Sequence, residues 1–369
     1  MRYALVLFLA AVIAISGCVS QPTGNVTVSG ENKIKIGAIL PLTDAIADFG
    51  RFVKDGIEFA REDINDTNLE IIYEDNQLCS TDLSVRGARK LTDVDRVSAV
   101  ISMCAETALG IAPIAEDGKV VSFSVGALPD SVTQAGDYTF RNQVSAKYEG
   151  QFLSDFARSR LNATTVAIFF VKNDYGVGVK EGFKKAWIEA GGAIAAEEGS
   201  DTNDKDFRTQ IAKIKAANPD VVFEVAEFHG LFAKQAKELG LNKTVLSIQT
   251  FQNPETLTSA GDAADGILYT YTLNEKNLTE KQKLFISRFK EKYGYDANVW
   301  NLNAYDALVI LYDLAKKCNS DSTCMKDGLY EVKNYEGVEG TIGFDENGDV
   351  VKHLAIKTVV NGTFMVYEG

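Results

Sequence analysis

Three short stretches carry residues whose types and spacing could bind or react. SMCAETALG (102–110) follows the apolar run RVSAVI and leads into the helix-like run IAPIAEDGK. A strand feeding a helix start leaves first-turn N–H groups unpaired and makes an anion cradle, commonly completed by a Ser or Thr hydroxyl. Here the turn offers Ala105 and Glu106, with Thr107 the nearest hydroxyl. A carboxylate at Glu106 would itself interact favourably with the helix N-terminus, in place of an anionic ligand. NDYGVG (173–178) is glycine-rich at a second strand–helix junction but lacks the lysine of a phosphate loop. EFHG (227–230) places Glu227 and His229 after the strand-like DVVFEV, and His229 reads equally as a ligand contact or a first-turn surface histidine.

Catalysis finds little else to work with. The dinucleotide fingerprint, the Walker A loop and the Gly-x-Ser-x-Gly elbow are absent. A Ser-His-Asp triad would have to use His229 or His353, and His353 falls in an alternating tail, as on a strand face. No enzyme, cofactor or metal site is expected.

The elements that must position these residues alternate along the chain. KIKIGAIL, LEIIYED, RVSAVI and KVVSFSV are strand-like, and TTVAIFFV, GAIAAEE, DVVFEV and TVLSIQT form a second series. Helical spacing connects them, as in Phe49, Phe52, Val53, Ile57, Ala60 and Ile64. Such alternation predicts right-handed βαβ units and parallel sheets covered on both faces. Two series predict two α/β lobes, each doubly wound and Rossmann-like. We expect 33–142 with 272–339 to form the first lobe, and 143–271 with 340–369 the second. The chain would cross between them three times, near Tyr138–Gly150, near Gly266–Glu280, and in the tail before a terminal hairpin. Ligands of open α/β sheets sit beyond the carboxyl ends of strands. Facing lobes would therefore present 41–50, 102–110, 124–130, 172–178, 224–230 and 247–253 across a shared cleft.

The N-terminus sets the compartment. MRYALVLFLAAVIAISGC has one basic residue, an apolar run too short to span a bilayer, and small residues before Cys18. Residues 1–18 resemble a signal peptide with a lipobox, in which Cys18 is lipidated; a plain signal peptide or uncleaved anchor is the alternative. A lipidated Cys18 or an uncleaved anchor would tether the protein to the outer face of the cell membrane. Residues 19–32 are polar, with Pro and Gly, and read as a flexible tether. The net charge of −13 argues against nucleic acid. The four other cysteines favour two disulfides in an exported protein: Cys318–Cys324, closing CNSDSTC, and Cys79–Cys104, joining neighbouring strand ends. With two histidines and no CxxC, zinc is the weaker alternative.

IKIGAILPLTDAIADFGRFVKDGIEFAREDIN resembles the opening of the leucine/isoleucine/valine-binding protein family, the type I solute-binding proteins of ABC importers. The likeness continues through Cys79 and Cys104, IAPIAEDGKVVSFSVGALPD, VKNDYGVGVKEGFKKAW, KDFRTQIAKIKAANPDVV, SAGDAADGI and GTIGFDENGDV. It implies the periplasmic-binding-protein type I fold, in which lobes joined by three hinge crossings close on a solute that a membrane permease receives. In amino-acid-binding members the residue after the second cysteine carries a hydroxyl that holds the α-carboxylate; here it is Ala105. The partner hydroxyl becomes Ala127, beside Val125. The acidic residue facing the α-ammonium aligns with Gln249. Tyr175 is kept, and Phe49 replaces another aromatic at the cleft mouth.

The expected function is therefore a monomeric, lipid-anchored solute-binding protein of a branched-chain amino acid type ABC importer. Its pocket is altered toward a neutral amide-like or cationic solute if Glu106 and Glu227 both face the cleft. A sensory ectodomain of the same fold is the rival; it would continue into a spanning helix, whereas this chain stops at Gly369.

Overall fold

The computed structural model describes residues 33–272 and 278–369, so the signal, Cys18 and tether assignments lie outside the described residues. The first sheet contains β1 (Ile34–Leu40), β2 (Leu69–Asp75), β3 (Ala99–Ser102), β4 (Val121–Ser124) and β5 (Thr139–Arg141), in the order β2-β1-β3-β4-β5. All its pairings are parallel. Its crossovers use α1 (Ala47–Ile64), α2 (Thr81–Arg89) and α3 (Ala105–Gly118). The period-2 alternation of a strand decides which face each residue joins. Ile36, Ala38 and Leu40 enter the main core with Phe52, Ile57 and Leu308, while Ile39 packs with Leu91 and Ile111 on the opposite side.

The second sheet repeats the plan. After α4 (Ala146–Leu161) come β6 (Thr165–Val171), α5 (Asp174–Glu189), β7 (Ala193–Ser200), α6 (Arg208–Ala217), β8 (Val221–Val225), α7 (His229–Glu238), β9 (Thr244–Ser247), α8 (Pro254–Ala260) and β10 (Leu268–Tyr271). The first lobe then resumes with α9 (Glu280–Tyr293), α10 (Val299–Cys318) and α11 (Ser322–Tyr330). Strands β11 (Tyr335–Glu336), β12 (Thr341–Phe344) and β13 (Val350–Val351) form a small sheet. The hairpin β14 (Ala355–Val360) and β15 (Thr363–Val366) completes the second sheet, whose order is β15-β14-β10-β9-β8-β6-β7.

The placement of β12 moves one expected boundary. Residues 339/340 fall between β11 and β12, which are paired antiparallel. Phe344 of β12 stands edge-on to Phe123 and Phe140 of the first sheet. The third passage between lobes therefore runs through Lys352–Leu354, and His353 lies exposed there rather than on a strand. Helices α4, α8 and α11, which the periodicity did not separate, add to the expected pattern.

Asn303 of α10 ties the crossings together. Asn142 Nδ2 donates to its carbonyl at 2.8 Å, and its own Nδ2 donates to Gln143 Oε1 at 2.8 Å. The Lys352 ammonium donates to Asn303 Oδ1 at 2.8 Å and to the buried Glu339 carboxylate, which also accepts from Thr272 Oγ1. Residues from all three passages thus meet in one buried polar knot. Among the described residues no helix is long and apolar enough to cross a membrane.

Candidate functional site

In each sheet the strand order reverses at one place, between β1 and β3 and between β6 and β8. A crevice opens beyond the carboxyl ends of the strands at such a switch point. The first lobe brings Phe49, Ala105 and Glu106 there; the second brings Asn173, Tyr175, Glu227 and His229, with Gln249 and Thr250 following β9. The lobes touch at this edge, with α3 in contact with α5. Gly178 of α5 has no room for a side chain, because a Cβ there would stand 2.6 Å from Pro129 Cβ. Beside it, Lys147 N–H donates to Asp130 Oδ1 at 2.9 Å.

Ala105 and Ala127 pack in one small cluster with Ala108 and Val132, and Phe49 stands edge-on to Trp300, with ring centroids 5.9 Å apart. The loop carrying Ala127 is held from beneath: Arg141 Nη1 donates to the carbonyls of Ala127, Leu128 and Pro129, while Asp349 takes its other edge. Two expected contacts are turned inward. Thr107 is fully buried, its hydroxyl within 2.6 Å of Asn76 Nδ2 and 3.1 Å of Ser84 Oγ. Val125 is fully buried in the main core.

The second-lobe wall is polar and tightly wired. Asn173 caps α5 by accepting from Gly176 N–H at 2.8 Å, which turns its amide nitrogen toward Glu227 Oε2, 3.4 Å away. Tyr175 Oη lies 3.0 Å from Thr250 Oγ1, and Thr250 Oγ1 lies 3.0 Å from His229 Nε2. His229 Nδ1 meets both oxygens of the buried Glu224, at 2.9 and 3.0 Å. Burial and the nearby carboxylates of Glu227, Glu224 and Glu149 hold the Tyr175 phenol well above its ordinary pKa. It is a neutral hydrogen-bonding group at every physiological pH.

Across the cleft Glu106 is half-buried in the first turn of α3, and its charge reaches Glu227. Burial raises the Glu227 pKa, Glu106 raises it further, and His229 and Asn173 pull it back. Beneath Tyr175 lies a third carboxyl. Glu149 is fully buried, accepts from Thr270 Oγ1 and weakly from Gln249 N–H, and is pushed by burial to about 7. Gln249 is also fully buried, beside Glu149, and its side-chain amide makes no well-formed hydrogen bond.

Sequence reasoning singled out Glu106, Tyr175, Glu227 and His229, which the structure brings to one edge. It passed over Glu224, Thr250 and Glu149, although the first two lie in the expected strand-end segments. Cys79–Cys104 and Cys318–Cys324 are joined, with Cα atoms 6.0 and 5.6 Å apart. The first bond ties the loop after β2 to the residue that opens α3. Among the described residues no group of three or more His, Cys, Asp or Glu side chains is placed to hold a metal ion.

Comparison with known proteins gives a consistent result. The family described as periplasmic binding protein matches residues 33–363. The leucine-, isoleucine-, valine-, threonine- and alanine-binding protein of Pseudomonas aeruginosa is 30% identical, covering 98% of this chain and 94% of its own. Leu/Ile/Val-binding protein homolog 3 of Brucella melitensis is 27% identical over 86% of this chain and 88% of its own. Among solved structures, the leucine binding protein LivK of Thermotoga maritima superposes with a TM-score of 0.85 at 29% identity, covering 90% of this chain and 97% of that one. A solute binding protein of Rhodopseudomonas palustris BisB5, in complex with 3,4-dihydroxybenzoic acid, shares the fold with a TM-score of 0.81 at 24% identity, over 90% and 95% of the two chains.

Proposed function

The chain belongs to the periplasmic binding protein family, in its leucine/isoleucine/valine-binding branch, and on that premise we propose that it is a lipid-anchored solute-binding protein of an ABC importer. It captures a small polar solute by closing two lobes and presents the closed form to a permease. Closure is a population shift: contacts made to the solute by both lobes at once favour the closed state. Cys18 is the anchor. Labelling with a radioactive fatty acid, lost in Cys18→Ser, tests it.

One observation carries the ligand class. Where an amino-acid site offers hydroxyls to a carboxylate, this cleft offers Ala105 and Ala127, and it sets Glu106 opposite Glu227. An anionic group placed there would lose its hydrogen bonds and meet two acids. The solute is a neutral amide-like or cationic molecule. Native mass spectrometry of the purified protein with its retained solute tests this directly. Tight binding of leucine or valine in calorimetry would overturn the ligand class while leaving the importer role standing.

The Glu224–His229–Thr250 chain favours a second reading, since carboxylate, imidazole and hydroxyl in that order activate nucleophiles. Here Tyr175 occupies the remaining side of the Thr250 hydroxyl. Hydrolysis of activated acyl esters, abolished by His229→Ala, would establish that reading; we expect no turnover.

A further inference from the structure

The chain Glu224–His229–Thr250–Tyr175 has a direction, and the direction follows from what each group can donate. The Glu224 carboxylate only accepts, and it already takes Ala226 N–H at 3.0 Å. The proton between Glu224 and His229 therefore sits on Nδ1. In the neutral imidazole this leaves Nε2 bare, so Thr250 must donate its one hydroxyl proton there, across 3.0 Å. The Thr250 oxygen can then only accept, and what it accepts is the Tyr175 phenolic proton, also across 3.0 Å.

We propose that this relay fixes Tyr175 as a hydrogen-bond acceptor toward the cleft, and thereby selects a solute presenting an N–H donor (ammonium, amidinium or amide) at that point. His229 is a positioning residue: it acts through Thr250 and touches no ligand. Protonating His229 reverses the chain. Nε2–H then donates to Thr250, the Thr250 proton turns to the tyrosine oxygen, and the phenolic proton faces the cleft. The same pocket would then prefer an acceptor.

The groups around His229 are accounted for. Glu224 faces it from β8 and Glu227 from the β8–α7 loop, with Glu106 beyond on α3. Thr250 and the Phe251 ring, 5.8 Å away, face it from the turn after β9. Lys205 lies over the neighbouring Phe228.

The proposal rests on reading Tyr175 as a cleft residue, and two measurements on the full chain separate the ideas. The first is nitrogen NMR of labelled histidine in a His353→Gln background, which leaves His229 as the only histidine. At neutral pH we expect a protonated Nδ1, a bare Nε2, and a shift of the Nε2 signal in Thr250→Val. An Nε2–H tautomer or an imidazolium at that pH would overturn the relay. The second compares two probes of one shape, acetamidinium and acetate, by their effect on the Tyr175 ring signals. Both proteins keep Glu106 and Glu227 and should favour acetamidinium, but the preference should be smaller in Thr250→Val by roughly tenfold, the equivalent of one unsatisfied polar contact. An unchanged preference in the variant also overturns the relay. If the tautomer is as stated but neither probe moves Tyr175, it is the cleft assignment that falls.

Discussion

Glu106, in the first turn of α3, and Glu227, just after β8, lie close enough for the charge of one to raise the pKa of the other, beyond the larger effect of burial. Two partly desolvated like charges oppose closure by an amount on the order of 1–2 kcal/mol. A cationic or N–H-donating solute removes that opposition, so closure without solute is disfavoured. Glu227→Gln should therefore shift the ligand-free protein toward the closed form. Small-angle scattering should show a smaller radius of gyration than wild type, and a larger one would contradict the assignment.

Glu149 makes a pH prediction whose sign can be worked out. Its folded pKa is raised by burial from the ordinary carboxyl value of 4.5 to about 7. Between those values the folded state holds a proton that the unfolded state has released, so stability falls as pH rises through the window and levels off above it. The full effect is about 3 kcal/mol. Glu149→Gln keeps an acceptor for Thr270 and Gln249 N–H but cannot ionise. Thermal melts should show the variant gaining on wild type between pH 5 and pH 8, and a gain at pH 5 alone would reverse the argument.

The close approach at Gly178 predicts a costly variant. A valine there would drive its Cβ into the ring of Pro129, 2.6 Å away. Pro129 follows Leu128, which is buried in the second-lobe core with Val179 and Phe183, so relieving the clash presses on that core as well as on the contact itself. Gly178→Val should lose about 1–3 kcal/mol in denaturant unfolding, as overpacking does. An unchanged unfolding midpoint would show that the Pro129 loop yields without cost.

The legible part of this fold was what repeats locally. Period-2 runs such as IKIGAIL and period-3.6 stripes such as that of α1 lie within one element, and their alternation alone implies strand-end loops at a common edge. Glu106, Tyr175 and Glu227 could be singled out because each lies within four residues after a strand. Thr107 was misjudged because helical advance turns it from the cleft toward Asn76, a residue 31 positions away in sequence. The relay was hidden for a similar reason: Thr250 meets Tyr175 across 75 residues, and neither has a local pattern that announces the other. The β12 boundary failed because an alternating strand looks the same whichever sheet receives it, and only Phe344 against Phe123 and Phe140 decides.

The last prediction concerns the knot at the crossings. Lys352 and Glu339 are both buried, and burial lowers the lysine pKa while it raises that of the neighbouring Asp306, which accepts Val338 and Glu339 N–H. Removing one member of such a pair leaves an unpaired buried charge, which costs about 3–5 kcal/mol. Lys352→Met should show that loss in denaturant unfolding, and Lys352→Met with Glu339→Gln should recover part of it, because Asp306 is then the one buried carboxyl of the cluster left without Lys352. Thr272→Val, at the rim of the knot, should cost only about 1 kcal/mol. If the double variant is no more stable than Lys352→Met, the charge pair is not what holds the three passages together, and the hydrogen bonds of Asn303 to Gln143 and Val125 must do so instead.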